Sequence, residues 1–476
     1  MMNCKHADVV LISVEEGPLP SFGIPSLDAY LSQSGIISEI LYPKVSAYSL
    51  DDLIIKISEL NPSVVGIGGL FNDRFIIKKI IDGLRPYRKN FKIVIGGNLV
   101  TPIPEFMLQK LSADIVVVGE GEIIFTKLVK KIIGGEDYSD IGGLVFREGN
   151  NVVTSGKGEY IEDLNELVRL NYEKIPMEYF VDIYKFYRNF TRNNLYTPSS
   201  KMGTVFTGRG CPHRCNFCYH FNKLRLLKIP AIIPQIKELK NRFKVNMITF
   251  ADDLALVNKH RTLDLCRALI NERLDLKYLA TAHFAILDEE MVLALKEAGF
   301  VQLALGLESG SGEILKRMNK ATMVGQIKDG LNLLRKHKIS WNGGVQIGQL
   351  GETEQDVRKT IELFYPRIDE LSTVSVVITT PFPGTSLYDY GLKLGIIKDM
   401  ESSFYKIYDL HTLVANFSKI SNWRVYYLRL KMALMFDLRK QQKISGKWVA
   451  YLFLMKILIK RFLNRIGHLF YNYRKL

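Results

Sequence analysis

Three cysteines, Cys211, Cys215 and Cys218, fall within eight residues in the run Cys211-Pro-His-Arg-Cys215-Asn-Phe-Cys218. Thiolates are the usual ligands of iron–sulfur clusters, and a four-iron cluster wants four of them. Three on one loop hold three irons and leave the fourth open to chelate a small molecule through amino and carboxylate groups. The competing reading is a zinc site completed by His213 or His220. Closed structural zinc sites favour two separated pairs of ligands, and the sequence holds no second pair. Cys4 and Cys266 are isolated, so the five cysteines do not form a disulfide framework. Cys266 lies in an apolar helical run and reads as a core residue. A clustered set of this kind belongs to metal or redox chemistry in a reducing compartment.

Carboxylates, a hydroxyl and glycines recur at the ends of other apolar runs. Phe250-Ala-Asp252-Asp253 offers two carboxylates to an ammonium or a ribose, unless the pair caps the next helix. Gly306-Leu-Glu308-Ser309-Gly310 offers a carboxylate and a hydroxyl. Gly344-Val-Gln-Ile347-Gly348-Gln-Leu-Gly351-Glu352 lets a flat ring approach the backbone, with Ile347 as an apolar contact. Thr380-Pro-Phe-Pro-Gly384-Thr385 follows the last such run.

The elements that must position these residues form two α/β series. Up to about residue 150, Val- and Ile-rich runs at 8–14, 64–69, 91–97 and 114–122 alternate with helix-period segments such as 51–60 and 73–88. Continuous apolar runs of this kind predict strands buried on both faces of a parallel sheet, hence a doubly wound domain. Glycine pairs after three of the strands mark its ligand-binding edge. Residues 143–156 predict a hairpin, and 151–200 read as a linker. The second series has strand-like runs at 204–208, 247–253, 277–283, 301–308, 341–348 and 374–380. Six units are too few for the eight-unit barrel and predict an open partial (β/α)6 barrel over 201–395 whose strand C-termini converge on one site. A helical C-terminal region, 396–476, completes the chain.

The run C-x3-C-x-aromatic-C, with Phe217 at the aromatic position, resembles the signature of the radical S-adenosylmethionine (radical SAM) enzymes, and the strand-end motifs stand in that family's order. The resemblance implies a [4Fe–4S] cluster on Cys211, Cys215 and Cys218. It also implies S-adenosylmethionine held by Phe217, Asp252, Asp253, Glu308, Ser309, Ile347 and Gly348, and cleavage to a 5′-deoxyadenosyl radical. The family often has Gly-Gly-Glu where Asp252 and Asp253 stand, and many relatives have Pro at Leu350.

The domain over 1–150 resembles the cobalamin-binding domain of one branch of that family. Ile95-Gly96-Gly97 and Val118-Gly119-Glu120-Gly121-Glu122 carry the likeness. It implies a corrin lying against Gly68, Gly69, Leu70, Gly96, Gly97, Asn98, Gly119 and Glu120. No D-x-H-x-x-G string occurs and His6 precedes the first strand, so cobalamin is expected to bind without a histidine ligand. The alternative is a nucleotide-binding-like domain without cobalamin. A methylthiotransferase is disfavoured, because Cys4 and Cys266 cannot hold a second cluster. The activity implied is methylation of an unactivated carbon of a small-molecule, lipid-like or peptide substrate, with electrons from a donor such as flavodoxin or ferredoxin. Radical cyclisation of the porphyrin-cyclase type is the enzymatic alternative, and a non-catalytic sensor at a membrane the non-enzymatic one.

The formal charge of +15 is concentrated: residues 422–476 hold thirteen Lys and Arg against Asp437 alone. The rest is nearly balanced, so no affinity for nucleic acid is implied. Trp448 to Phe470 predict a basic amphipathic helix that either packs on the barrel or lies on an anionic membrane surface. The N-terminus lacks the pattern of a signal peptide, making the cytoplasm the expected location.

Overall fold

A computed structural model of the chain describes residues 6–14, 17, 20–87, 91–187, 195–219, 223–369, 372–444 and 446. His220, Cys4 and the basic segment from Trp448 onward lie outside the described residues.

The N-terminal sheet has seven strands: β1 (Val9–Ser13), β2 (Ser38–Leu41), β3 (Val64–Gly68), β4 (Lys92–Gly96), β5 (Ile115–Val117), β6 (Leu144–Glu148) and β7 (Asn151–Thr154). Their spatial order is β2-β1-β3-β4-β5-β6-β7. The first five are parallel, and β6 and β7 join antiparallel as the predicted hairpin. Val9, Val10, Leu11 and Ile12 are consecutive and fully buried, which requires cover on both faces. The helices fall into two groups. Gly23–Gln33 packs on Gly121–Gly134, and Leu50–Leu60, Arg74–Leu84 and Pro104–Leu111 pack in series. Right-handed crossovers on either side of the order reversal between β1 and β3 require this division.

In this sheet one strand boundary and one unpredicted strand depart from the sequence reading. The run 114–122 is a strand only to Val117. Gly119, at φ +88, turns the chain, and a helix starts at Gly121. The short edge strand β2 escaped notice because four residues carry little pattern.

The second series gives β8 (Met202–Val205), β9 (Gly208–Arg209), β10 (Arg225–Leu226), β11 (Met247–Phe250), β12 (Lys277–Ala282), β13 (Phe300–Glu308), β14 (Ser340–Ile347) and β15 (Ser372–Ile378). Six of them form one sheet in the order β15-β14-β13-β12-β11-β8, each beside its predecessor in the barrel series. β9 and β10 make a separate two-stranded antiparallel ribbon at the foot of the cysteine loop. The intervening helices start where capping chemistry says they should: the Asn258, Asp288 and Thr353 side chains accept from the backbone N–H of Arg261, Met291 and Asp356. The chain divides into two compact units, one of 1–186, 199–211 and 219–252, the other of 187–198, 212–218 and 253–476. In the second, a helix over 422–444 buries Val425, Leu428, Met432 and Phe436 at helical spacing. Among the described residues no helix is long and apolar enough to cross a membrane.

Candidate active site

The cysteine loop leaves the ribbon through Gly210, at φ +82, a conformation glycine adopts without strain. Cys211 is partly exposed, Cys215 buried and Cys218 exposed, and the Cys218 N–H donates to the Cys215 carbonyl at 3.2 Å. The loop is fastened by its backbone. Asn216 donates from its N–H to the Met318 carbonyl at 3.0 Å and from Nδ2 to the Arg317 carbonyl at 2.9 Å. The Asn216 carbonyl accepts from Leu387 N–H at 2.9 Å, and Asn319 Nδ2 donates to the Arg214 carbonyl at 2.7 Å. Phe217 packs against Leu387, Tyr388, Ile397, Ala415 and Phe417. The aromatic position of the motif is therefore an apolar anchor that presents the neighbouring thiols. Backbone fastening by Asn216 and Asn319 carries no signature in a single sequence.

His213, the candidate zinc ligand, stacks on His283 at 4.2 Å between centroids and 23° between planes. His283 Nδ1 accepts from Ala285 N–H at 3.2 Å and Nε2 lies 2.8 Å from Thr322 Oγ1, which puts the ring proton on Nε2. Burial, with the neighbouring His213 and Lys320, pushes His283 down to about 4, so the ring is neutral near pH 7. A single zinc ion needs converging ligands. His220, the other candidate zinc ligand, lies outside the described residues, and a four-iron cluster takes one thiolate on each of three irons, the donor set that Cys211, Cys215 and Cys218 supply. The donor chemistry of this loop fits the cluster.

At the end of β13, Glu308 adopts φ +52, unusual for a residue with a side chain, where the register between β13 and β14 shifts. Its carboxylate accepts from Lys320 Nζ at 3.1 Å and from Gln346 Nε2 at 2.8 Å, and Gln346 in turn accepts from Gln349 Nε2 at 2.8 Å. This half-buried polar chain is what the strand ends offer to a ligand's hydroxyls and amines. Lys320 and Gln346 were not singled out in the sequence; Gln346 lay inside a quoted motif, but Lys320 had no signal. Beside them a Cβ added at Gly344 would meet nothing within 4 Å, so the backbone there is open. Ile347 is fully buried and Gly348 turns the chain at φ +91. Glu352 closes that turn, accepting from the N–H of Gly348 at 2.7 Å and Gln349 at 3.3 Å. Burial pushes its carboxyl up to about 8.

Two of the expected contact residues are otherwise engaged. Ser309 is fully buried, its hydroxyl 3.3 Å from Thr360 Oγ1 and accepting from Ser311 N–H at 3.1 Å. It therefore holds the turn behind the site and does not present a hydroxyl at the barrel mouth. Asp252 accepts from Thr207 N–H at 2.8 Å, Gly208 N–H at 3.2 Å and Thr207 Oγ1 at 2.5 Å, which fixes the chain between β8 and β9. Asp253 is exposed. Cys266 is buried within its helix, which pushes its thiol up to about 12 and makes it the inert core residue expected.

The edge of the N-terminal sheet forms a floor built largely of glycine. Leu99 N–H donates to the Gly69 carbonyl at 3.2 Å, and Thr101 Oγ1 donates to the Gly97 carbonyl at 2.9 Å and accepts from Gly119 N–H at 3.0 Å. These bonds tie the ends of β3, β4 and β5 together. Gly97 is held at φ +83. Gly97, Asn98 and Leu70 are exposed, while Leu99 and Val100 beneath are fully buried. A Cβ at Gly119 would meet nothing within 4 Å. A glycine floor along the C-terminal ends of parallel strands β3, β4 and β5 fits a planar macrocycle. Glu120 is not part of it: the residue is buried and ion-paired with Arg209 and Arg225.

Comparison with known proteins finds matches to both domains. Residues 8–129 match the B12 binding domain and residues 205–364 the radical SAM superfamily. An uncharacterised methyltransferase of Pyrococcus horikoshii is 27% identical over 424 residues, 87% of each chain. The anaerobic magnesium-protoporphyrin IX monomethyl ester cyclase of Cereibacter sphaeroides is 23% identical, over 78% of this chain and 60% of its own. Among solved structures, the radical S-adenosylmethionine methyltransferase TsrM of Kitasatospora setae, with cobalamin and a [4Fe–4S] cluster bound, superposes with a TM-score of 0.67. That match has 16% identity and covers 82% of this chain and 76% of that one, a likeness of fold.

Proposed function

We propose that this chain, which belongs to the radical SAM enzymes that carry a B12-binding domain, transfers a methyl group to an unactivated carbon of a small-molecule substrate. The observation that carries the reading is the presence, in one chain, of a backbone-fastened three-cysteine loop and an open glycine floor at a parallel-sheet edge. When bound, the cluster with S-adenosylmethionine supplies a hydrogen-abstracting radical and cobalamin supplies the methyl group.

The protein's own residues bind and orient. Cys211, Cys215 and Cys218 hold three irons, and Asn216 and Phe217 keep the loop in place. Glu308, set by its left-handed backbone and braced by Lys320 and Gln346, accepts a hydrogen bond from a ribose hydroxyl. The open backbone at Gly344 takes the adenine, and the Gly348 turn closed by Glu352 shapes its edge. Gly68, Gly69, Gly96, Gly97 and Gly119 let the corrin reach the backbone, with Leu70 and Asn98 at its rim. Electrons enter from an external donor of the flavodoxin or ferredoxin kind.

The test is a count of products. Anaerobic protein given cluster, cobalamin, reductant, S-adenosylmethionine and candidate substrates should form 5′-deoxyadenosine and S-adenosylhomocysteine together with a methylated product. Formation of 5′-deoxyadenosine without S-adenosylhomocysteine, beside a substrate that has lost hydrogen but gained no carbon, would replace methyl transfer with cyclisation.

A further inference from the structure

Arg209 and Arg225 stand directly opposite each other on the β9–β10 ribbon, which is only two residues long. Like charges in that position repel and would open so short a pairing. Two acids that follow β5 in the sequence prevent it. Glu120 accepts from Arg209 Nη1 at 2.9 Å, from Arg225 Nη1 at 3.1 Å and from Arg225 Nη2. Glu122 accepts from Arg209 Nη2 at 2.6 Å and from Ser26 Oγ at 2.9 Å. Arg225 also donates to the Ile161 carbonyl and lies over the Tyr160 ring at 4.9 Å. All these residues belong to one compact unit.

The ordinary role for acids at this place would be to cap the helix Gly121–Gly134. Glu120 stands at the cap position, yet its side chain makes no capping bond there, being turned to the arginines. Burial alone would raise the Glu122 carboxyl. The Arg209 charge and the hydrogen bonds outweigh that and hold it below the usual carboxylate range. A buried ionic network contributes little to net stability, but removing one member leaves an uncompensated charge, so it fixes placement.

The ribbon is the base of the cysteine loop: the chain leaves it at Arg209, two residues before Cys211, and returns at Arg225. The acids follow Gly119, the last residue of the glycine floor. We infer that Glu120 and Glu122 are positioning residues that lock the base of the cluster loop to the edge of the cobalamin floor, without touching either cofactor. The ribbon, and with it the chain from Arg209 to Cys211, then closes only when the floor's β5 turn is in place. The inference does not depend on methyl transfer being the outcome.

The test uses full-length protein with its cluster reconstituted anaerobically, as wild type, Glu120→Gln and Glu122→Gln. Hydrogen exchange is read over 208–226 against β3 and β4, with and without hydroxocobalamin, beside the paramagnetic resonance spectrum of the reduced cluster. Without hydroxocobalamin, Glu120→Gln should speed ribbon exchange by about tenfold or more while β3 and β4 keep their rates. The cluster spectrum should broaden, and hydroxocobalamin affinity should stay within about threefold, since no contact is lost. Glu122→Gln should act in the same direction more weakly, because Arg209 retains Glu120, and serves if the first variant does not fold. Unchanged ribbon exchange in both variants would overturn the inference. So would a loss of hydroxocobalamin affinity of about thirtyfold or more with the ribbon at wild-type rates, since Glu120 would then be a ligand contact. If wild-type protein itself retains no cobalamin, the cofactor assignment falls while the exchange comparison still decides the lock.

Discussion

Gln346 Nε2 donates to Glu308 Oε2 at 2.8 Å, joining the ends of β13 and β14. Lys320 Nζ takes the other carboxylate oxygen at 3.1 Å, so the acid is held from both sides with its remaining lone pairs free for a ligand.

Glu308→Gln keeps the shape but removes the charge. It should weaken S-adenosylmethionine binding by about ten- to a hundredfold, the worth of a charge-assisted hydrogen bond. Calorimetry on cluster-loaded protein checks this; an unchanged affinity would remove Glu308 from the site.

Asn216→Ala removes the Nδ2 bond to the Arg317 carbonyl while leaving all three cysteines. The loop should loosen, and iron should be lost to a chelator several times faster than from wild type at equal melting temperature. Iron release timed under anaerobic conditions is the measurement.

Glu352 makes stability fall with rising pH. Its carboxyl is raised from 4.5 to about 8 by burial, so the folded state holds a proton that the unfolded state releases. The contribution is complete below about pH 4.5 and is lost progressively as pH rises to about 8, at roughly 1.4 kcal/mol per unit at most. Glu352→Gln, which keeps an acceptor for the Gly348 and Gln349 N–H groups, should flatten that slope in denaturant titrations between pH 5 and pH 8.

Gly310 faces the helix Glu354–Phe364 so closely that a Cβ would meet the Lys359 carbonyl oxygen and the Thr360 Cα at 2.6 Å each. Both are backbone atoms, so Gly310→Ala must shift the helix and should cost about 1–3 kcal/mol. A thermal melt equal to wild type would show that the helix yields freely.

The sequence announced both sheets, the order of the six barrel strands and the cysteine loop, because long Val- and Ile-rich runs and three spaced thiols are strong local signals. It placed Glu308, Ile347 and Gly348 at strand ends correctly. It did not reveal that Phe217 is an anchor, that Asp252 and Ser309 spend their polar atoms inside the protein, or that Glu120 pairs with Arg209 and Arg225. Those partners lie far apart along the chain: Glu120 and Arg225 are separated by 105 residues. A pattern read along one dimension shows which residues carry polar atoms, whereas burial decides which of them are left for a ligand.

The most direct measurement is the metal content and visible spectrum of protein reconstituted anaerobically with iron, sulfide and hydroxocobalamin and then freed of unbound ligand. About four irons per chain beside near-stoichiometric cobalt, with no histidine bound to it, is the result predicted. An intact cluster that cleaves S-adenosylmethionine in protein that retains no cobalt would contradict cobalamin-dependent methyl transfer.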